Sequence, residues 1–502
     1  MKDINTVYEL LLYADRHYAE RDFCRFIRDE ALMSRTYKEF IRDAVSVARF
    51  IRSRGNRHIH IGFAGITNYE YIACLTGMIL SGNTVIPLSP ASDEAEASYL
   101  INDGDIEILF CDGSFTGTAE KIRERCPALK EIISLGDRSF FEGIFREYRT
   151  EGLSPEEFSV DPDKCALIIY TSGTTGNKKG VMLSNRNLAV NSTYDTYRMS
   201  EGDVSLSILP MHHIFCYACD VLKTLYDGGT LCLNGELSEL FKNFHIFEPT
   251  VMRIVPAIVR TVLTRIKIAQ RRNPDFTPRQ AAESVVGKNL RQMIAGSAFL
   301  SAALIDEMSK YSITARQGYG MSECSPRITT SDFSDCCKYS NGILLGTDEV
   351  RIRDGEIQVR GPSVMLGYYK RKEETEAAFT EDGFLHTGDM GYIENNHIYL
   401  TGRKKNIIVL SNGENISPET IENSFSDNTE IKEIIVFAKD DRICAEIYPE
   451  RDVTRERIEE IILSVNRLSP AHMQIEEFFI RETPFNKTST GKIIRQEFLY
   501  KE

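Results

Sequence analysis

A chain of 502 residues with 42% hydrophobic composition is long enough to bury a sizeable core and to divide into roughly two to four domains or subdomains, which excludes a disordered or fibrous protein. The 60 Lys and Arg set against 73 Asp and Glu leave a net charge of -13, which disfavours nonspecific contact with nucleic acid but leaves room for a local basic pocket. The first apolar run is broken by Asp15, Arg16 and His17, and no later stretch reaches the roughly 18–20 apolar residues that span a bilayer, so a cytoplasmic protein is expected.

In chain order, strand-like runs at His58–Ala64, Ile106–Cys111 and Ala166–Tyr170 alternate with helical stretches at Tyr37–Arg52 and Ser98–Asn102, the pattern of an α/β protein. Twelve cysteines in a chain of this length do not make a disulfide scaffold, and Cys74, Cys165 and Cys232 sit in apolar runs that suit buried thiols. Cys216 and Cys219 have a metal-ligand spacing but lack a second spaced pair, since Cys336 and Cys337 are adjacent. The stretch Ile258–Arg272 carries Arg260, Arg265, Lys267, Arg271 and Arg272 among Ile, Val and Leu. It reads as a solvated helix packing its apolar face inward rather than as a membrane-surface helix, and Arg271–Arg279 reads as a surface loop. Towards the end, Glu433–Phe437 and Ile443–Tyr448 read as strands and Val453–Leu468 as a helix, forming a small unit that begins near Gly402–Asn406.

The strongest local signal is Tyr170-Thr-Ser-Gly-Thr-Thr-Gly-Asn-Lys-Lys-Gly180. Gly173, Gly176 and Gly180 let the backbone approach an anion, Thr171, Ser172, Thr174 and Thr175 offer hydroxyl donors, and Lys178 and Lys179 neutralise charge, so the loop suits a polyphosphate. It is not the GxxxxGK[ST] loop, because Lys178 and Val181 stand where that spacing needs its second glycine. The bland alternative, a turn-rich surface loop, does not account for four hydroxyls, three glycines and two lysines after an apolar strand.

This loop resembles the Y-T-S-G-T-T-G-x-P-K-G motif of the adenylate-forming superfamily of acyl-CoA synthetases, luciferases and nonribosomal-peptide adenylation domains, with Lys178 in place of the proline. Further motifs follow in the family's order. Leu209-Pro-Met-His-His-Ile-Phe215 looks like the segment beside the acyl pocket, which puts His213 at the gating position and Ile214 where amino-acid-activating relatives place an Asp. A substrate ammonium would be buried there without its partner, so amino acids are not expected as substrates. Gly296-Ser297-Ala298 matches the small-residue strand end at the adenine and acyl pockets. Gly318-Tyr-Gly-Met-Ser-Glu323 is similar to Y-G-x-T-E. The resemblance implies that Tyr319 packs on adenine beside Gly320, that Gly318 borders the acyl pocket, that Ser322 serves the phosphate and that Glu323 holds Mg²⁺. Asp382-Gly-Phe-Leu-His-Thr-Gly-Asp389 resembles D-G-W-x-x-T-G-D, with Asp389 on the ribose hydroxyls and Phe384 replacing Trp.

Gly402-Arg-Lys-Lys-Asn-Ile-Ile408 matches the hinge, with Arg403 on the ribose and Lys405 absorbing the rotation; Asn406 departs from a common acidic residue. Ser411-Asn-Gly-Glu-Asn-Ile-Ser-Pro418, with Gly413 and Glu414, resembles the strand along which the thiol acceptor's arm enters. Thr488-Ser-Thr-Gly-Lys-Ile-Ile-Arg495 looks like the terminal signature whose lysine, here Lys492, reaches the substrate carboxylate and α-phosphate. The resemblance covers the whole chain and feels nearest to long-chain fatty acyl-CoA synthetases. It implies a large multi-subdomain N-terminal α/β domain with mixed sheets (1–402), a hinge (403–406) and a small mobile C-terminal α+β domain (407–502). The implied catalytic set is Lys492, Glu323 and Thr171, with ATP, Mg²⁺ and coenzyme A as reactants. A fatty acid is expected because Leu209–Phe215 and Arg253–Ala257 offer few polar partners. The alternative acceptor is a phosphopantetheine carrier protein, and the alternative of another class is a nucleotide-binding sensor without catalysis.

Overall fold

The computed structural model describes residues 4–135, 138–149, 153, 155–172, 178–193, 199–334, 336–411, 413–487 and 493–495. Two seven-stranded sheets, a six-stranded antiparallel sheet and a small three-stranded sheet carry the fold. In the first, Thr84–Leu88, His60–Ala64, Ile106–Cys111 and Glu131–Ser134 run parallel, and Cys165–Ser172 joins them parallel through Val85↔Leu167 before pairing antiparallel with Lys178–Ser184. These strands read as unbroken apolar runs because helices cover both faces. In the second sheet the strands Thr314–Gln317, Gln292–Ala295, Val251–Ile254, Val204–Ser207, Thr230–Leu233 and Asp22–Arg28 are parallel, and Ala31–Thr36 closes the edge antiparallel.

The helix Tyr37–Ser53 begins where the sequence places it because Thr36 and Glu39 form a reciprocal cap, and Tyr37, Phe40, Ala44, Val47 and Ile51 bury one stripe. The helix Pro256–Arg272 packs Val259, Val262, Leu263 and Ile266 inward and leaves its basic residues on the outer face, which agrees with the solvated reading. Pro278 starts a further helix, so the polar loop expected over Arg271–Arg279 is confined to the residues between the two helices. Further along the chain, Ile431–Lys439 and Arg442–Pro449 form a hairpin with Glu477–Ile480 alongside, and Ile416, Ile421, Phe425, Ile447, Ile458 and Ile461 make a separate core. The twelve cysteines are free thiols. No helix among the described residues is long and apolar enough to cross a membrane.

One buried carboxyl supplies a stability test. Asp43 accepts the Tyr69 hydroxyl at 2.6 Å, and burial pushes its carboxyl up to about 6. A carboxyl whose folded pKa is raised stabilises the fold only below its unfolded value, and the contribution is lost as pH rises through the folded value. Asp43→Asn is therefore expected to be more stable than the parent at about pH 8, on the order of 1–3 kcal/mol, with the gap closing towards about pH 4. Thermal melts at the two pH values check it; an equal or lower Tm at the higher pH would mean that Asp43 is ionised at no cost.

Candidate active site

The strand Cys165–Ser172, which leads into the glycine- and hydroxyl-rich motif, ends with Thr171 opposite Lys179 and Ser172 opposite Lys178. Gly173, Thr174, Thr175 and Gly176, the Ser172 side chain and Lys492 lie outside the described residues. Both lysines of the motif are held by carboxylates: Lys178 pairs with Glu96, and Lys179 lies 2.6 Å from Glu374 and 5.2 Å from the Tyr368 ring centroid. Tyr368 in turn donates its hydroxyl to Glu323 at 2.9 Å. A chain of contacts thus leads from the phosphate loop to the Gly318–Glu323 segment.

Burial raises the Glu323 carboxyl above the usual carboxylate range, the Tyr368 hydrogen bond and the nearby Arg403 charge oppose that rise, and Asp389 adds to it. Asp389 is buried on the strand Leu385–Glu394 and pairs in register with Arg403 on the neighbouring strand His397–Arg403, so both side chains leave the sheet together. The Arg403 Nε lies 2.7 Å from Asp389 Oδ1, and the Tyr319 hydroxyl donates to Oδ2 at 2.6 Å. The structure therefore unites Lys179, Tyr319, Glu323, Asp389 and Arg403, which are 224 positions apart in sequence at the extremes (403 − 179). Such a cluster supplies carboxylate oxygens for hydroxyl groups, a hard oxygen for a divalent cation and cations for phosphate. Ser322 opens the short 3₁₀ turn that carries Glu323.

Gly320 is fixed by close approach, since a Cβ there would overlap the Pro326 carbonyl oxygen in the bridge between Gly320 and Arg327. Gly320→Ala is expected to displace Tyr319 and Glu323 together and to lower the Tm, measured by thermal melts; an unchanged Tm would show that the loop has a second packing.

The residues expected to border the acyl pocket follow two neighbouring parallel strands, Gly296 after Gln292–Ala295 and Gly318 after Thr314–Gln317. Gly296 is buried against the Phe215 ring, Ser297 is exposed with φ 68°, and Ala298 receives the Gln317 side-chain amide at 3.0 Å. The Gly318 N–H donates to Ala295. His213 precedes the helical turn Ile214–Cys216, which runs on as a π-helix over Tyr217–Leu222, a geometry found often at functional sites. Burial, with the Lys178 charge adding to it, holds the His212 imidazole down to about 3 and lowers His213 as well, so both stay neutral at physiological pH.

Arg253 departs from the expected apolar segment Arg253–Ala257. It is buried, with Nη1 3.4 Å from Asp220 and 3.3 Å from Ser205 Oγ, while Asp220 accepts Ser207 at 2.7 Å. The charge passed as part of an apolar run because its partner lies 33 positions upstream. Tyr368, Glu374 and Glu96 were also missed, since no local pattern marks them. Phe384, in the Trp position, is enclosed between the Arg351 and Arg360 guanidiniums at 3.7 and 4.3 Å, so a smaller ring keeps the cation–π packing.

In the 3₁₀ turn Lys404–Asn406, Asn406 donates to Glu419, and Lys405 is exposed. Gly413 closes the turn between Ile408–Val409 and Asn415–Ile416 through its N–H to Leu410, and Glu414 lies 3.6 Å from His472.

This fold and this cluster define an AMP-binding enzyme. The AMP-binding enzyme model matches residues 14–369, and the model of that family's C-terminal domain matches residues 405–501, so the chain belongs to the family. It is similar to the long-chain-fatty-acid–CoA ligase FadD15 of Mycobacterium bovis, 26% identical over 425 residues that cover 74% of this chain and 69% of that protein. It is also similar to human long-chain-fatty-acid–CoA ligase 1, 25% identical over 450 residues, where the match spans 76% of this chain but 63% of the human protein. Among solved structures, the anthranilate CoA ligase AuaEII in complex with anthranoyl-AMP superposes with a TM-score of 0.83 at 18% identity, covering 99% of this chain and 97% of that one, which shows the shared fold.

Proposed function

We propose that the chain activates a carboxylic acid, and specifically a fatty acid, by reaction with ATP to give acyl-AMP and pyrophosphate, and then passes the acyl group to the thiol of coenzyme A. The observation that carries this reading is the contact chain from Lys179 through Tyr368 to Glu323, whose carboxyl feels the charges of the separate Asp389–Arg403–Tyr319 cluster, which together would supply the parts a nucleoside triphosphate needs.

In the first half-reaction an oxygen of the acid's carboxylate attacks the α-phosphorus in line, the bond to the β-phosphate oxygen breaks, and pyrophosphate leaves with that electron pair. Asp389 and Arg403 fix the ribose, Tyr319 bears on the adenine, and Thr171 with Lys179 holds the departing phosphates. Lys492 steers the carboxylate and offsets charge at phosphorus, the electrostatic work that phosphoryl transfer mostly requires. The residues fit Mg²⁺: Glu323 is a carboxylate oxygen ligand oriented by Tyr368, and the ion would supply charge neutralisation at the phosphates. In the second half-reaction a thiolate attacks the acyl carbon and AMP departs. The small domain turns at residues 403–406 around Lys405, which takes Lys492 away and brings the Gly413–Glu414 strand to the thiol's path.

Neutral His212 and His213 and the Phe215 ring support an apolar acyl group. A second reading, an acid bearing a polar or charged group, is favoured by the buried Arg253 beside the same helical run. Pyrophosphate release is to be measured with Mg·ATP across straight-chain, aromatic and dicarboxylic acids, each with coenzyme A, with a phosphopantetheinylated carrier protein, or with neither. Turnover stimulated by coenzyme A and a fatty acid is expected. Preference for a dicarboxylic or aromatic acid would transfer Arg253 to substrate recognition, stimulation by the carrier alone would change the acceptor, and ATP binding without turnover would favour a sensor.

A further inference from the structure

We propose that Glu374 is a built-in counter-ion for Lys179: it holds the lysine's ammonium between turnovers, yields it to the phosphates of ATP and takes it back as pyrophosphate leaves. This rests on the proposed reading in which Lys179 holds the departing phosphates. It adds a positioning residue that acts on ATP and pyrophosphate through that lysine.

The residues around Glu374 fix where its carboxylate lies. Gly367 and Tyr368 pair antiparallel with Met182 and Val181 on the strand Lys178–Ser184, and the Tyr369 N–H donates to the Gly180 carbonyl at 2.8 Å, so the chain leaves the sheet edge beside Lys179. The helix Lys372–Ala378 follows at once. Its Thr375 Oγ1 accepts the Tyr368 N–H at 2.9 Å and donates to the Arg371 carbonyl at 2.7 Å. Gly367 lets this threonine close in, since a Cβ there would stand 2.6 Å from Thr375 Cγ2. With Thr375 pinned in this way, the preceding Glu374 places Oε2 2.6 Å from Lys179 Nζ. That oxygen is buried without a hydrogen-bond partner, so the adjacent Lys179 charge is what offsets its desolvation. The same ammonium lies 5.2 Å from the centroid of the Tyr368 ring, whose hydroxyl donates to Glu323.

An ammonium has three protons and could touch two anions, but it carries a single positive charge. A triphosphate drawn to Lys179 therefore meets a carboxylate already in contact with it, and separation of the pair avoids setting two anions side by side. ATP and pyrophosphate are both weakened by that competition, and return of the carboxylate favours the exit of pyrophosphate. With side chains 19% and 40% exposed, the ion pair is weak enough for a polyanion to displace.

The test is calorimetric titration of the full chain with magnesium and a non-hydrolysable ATP analogue and, separately, with magnesium and pyrophosphate. Glu374→Gln is expected to bind both about fivefold more tightly than the parent, the upper end for a partly exposed ion pair. Glu374→Asp keeps the charge and should bring the affinities back towards the parent. Glu373→Gln makes the same change of net charge at an exposed neighbour and should leave them unchanged. Lys179→Met should weaken both ligands, and in that background Glu374→Gln should bring no gain, because no ammonium is left to release. A gain that persists without Lys179 would mean direct repulsion of the phosphates and would overturn the proposal. So would unchanged binding in Glu374→Gln, or weaker binding with a lowered Tm, the mark of a purely structural carboxylate. If Lys179→Met bound both ligands as the parent does, the reading of Lys179 as a phosphate ligand would fall, and the proposal with it. Loss in Lys179→Met without gain in Glu374→Gln would overturn the counter-ion alone.

Discussion

Lys492→Ala is expected to reduce acyl-adenylate formation by ~10²–10⁴-fold while a chemically supplied acyl-adenylate is still converted to its thioester at close to the parental rate. The asymmetry follows from where charge develops. In the first half-reaction negative charge accumulates around the α-phosphorus as a carboxylate and a triphosphate approach each other, and a cation placed there in a site of low dielectric is worth far more than in water. In the second, the developing charge sits on the acyl carbonyl and the leaving AMP, and the proposed domain rotation would have removed Lys492 from the site. The substitution should leave the surrounding segment in place, because its flanks are tied independently: Lys487 lies 2.5 Å from Glu433, Arg495 pairs with Glu422, and Lys487 bridges to Ile493. Pyrophosphate release measures the first step and thioester formation from synthetic acyl-AMP the second. Equal loss of both would show that the lysine shapes the site for each reaction, and the proposed domain rotation would lose its support.

The local motifs were legible in the sequence because each is a short run in which glycines, hydroxyls and charges crowd together. The helix starting at Tyr37 was legible because its cap is encoded in Thr36 and Glu39, only three residues apart. The strand predicted from His58 starts at His60 instead, since His58 adopts φ 60° and turns the chain before the ladder begins. What depends on distant pairing was not legible. The antiparallel partners Asp389 and Arg403 were each assigned to the nucleotide from separate motifs, but their ion pair emerges only from the register of two strands. Tyr368 and Glu374 orient Glu323 and Lys179 from outside any motif, and nothing in their immediate surroundings distinguishes an orienting side chain from an ordinary one. Arg253 illustrates the opposite error: an isolated charge in an apolar run was discounted, although burial obliges such a charge to find a partner, and Asp220 is that partner.

Asp389→Asn is expected to raise the KM for ATP by ~10²-fold or more, with a much smaller change in kcat at saturating nucleotide. Asparagine preserves the volume of the buried side chain and still accepts the Tyr319 hydroxyl, so the strand pairing of Leu385–Glu394 with His397–Arg403 should survive. It cannot hold Arg403 as an ion pair, and its neutral oxygen binds a ribose hydroxyl without the charge that makes carboxylate hydrogen bonds the strong ones. On the proposed reading each of two ribose contacts would fall from about 1.5–3 to about 0.5–1.5 kcal/mol, and a combined loss of about 2–3 kcal/mol is close to the stated factor. On the proposed reading the ribose would be held alike in the ground and transition states, so the loss should fall on binding rather than on the chemical step. Tyr319→Phe provides the contrast: it keeps the ring and the carboxylate and removes only the hydroxyl that orients it, so its effect on KM should be smaller. Steady-state kinetics over ATP concentration, with Tm as a check on folding, separates the two. If Asp389→Asn left KM for ATP unchanged while Tm fell, the carboxylate would be a structural anchor for Arg403 and Tyr319, and the ribose would have to be sought elsewhere on the cluster.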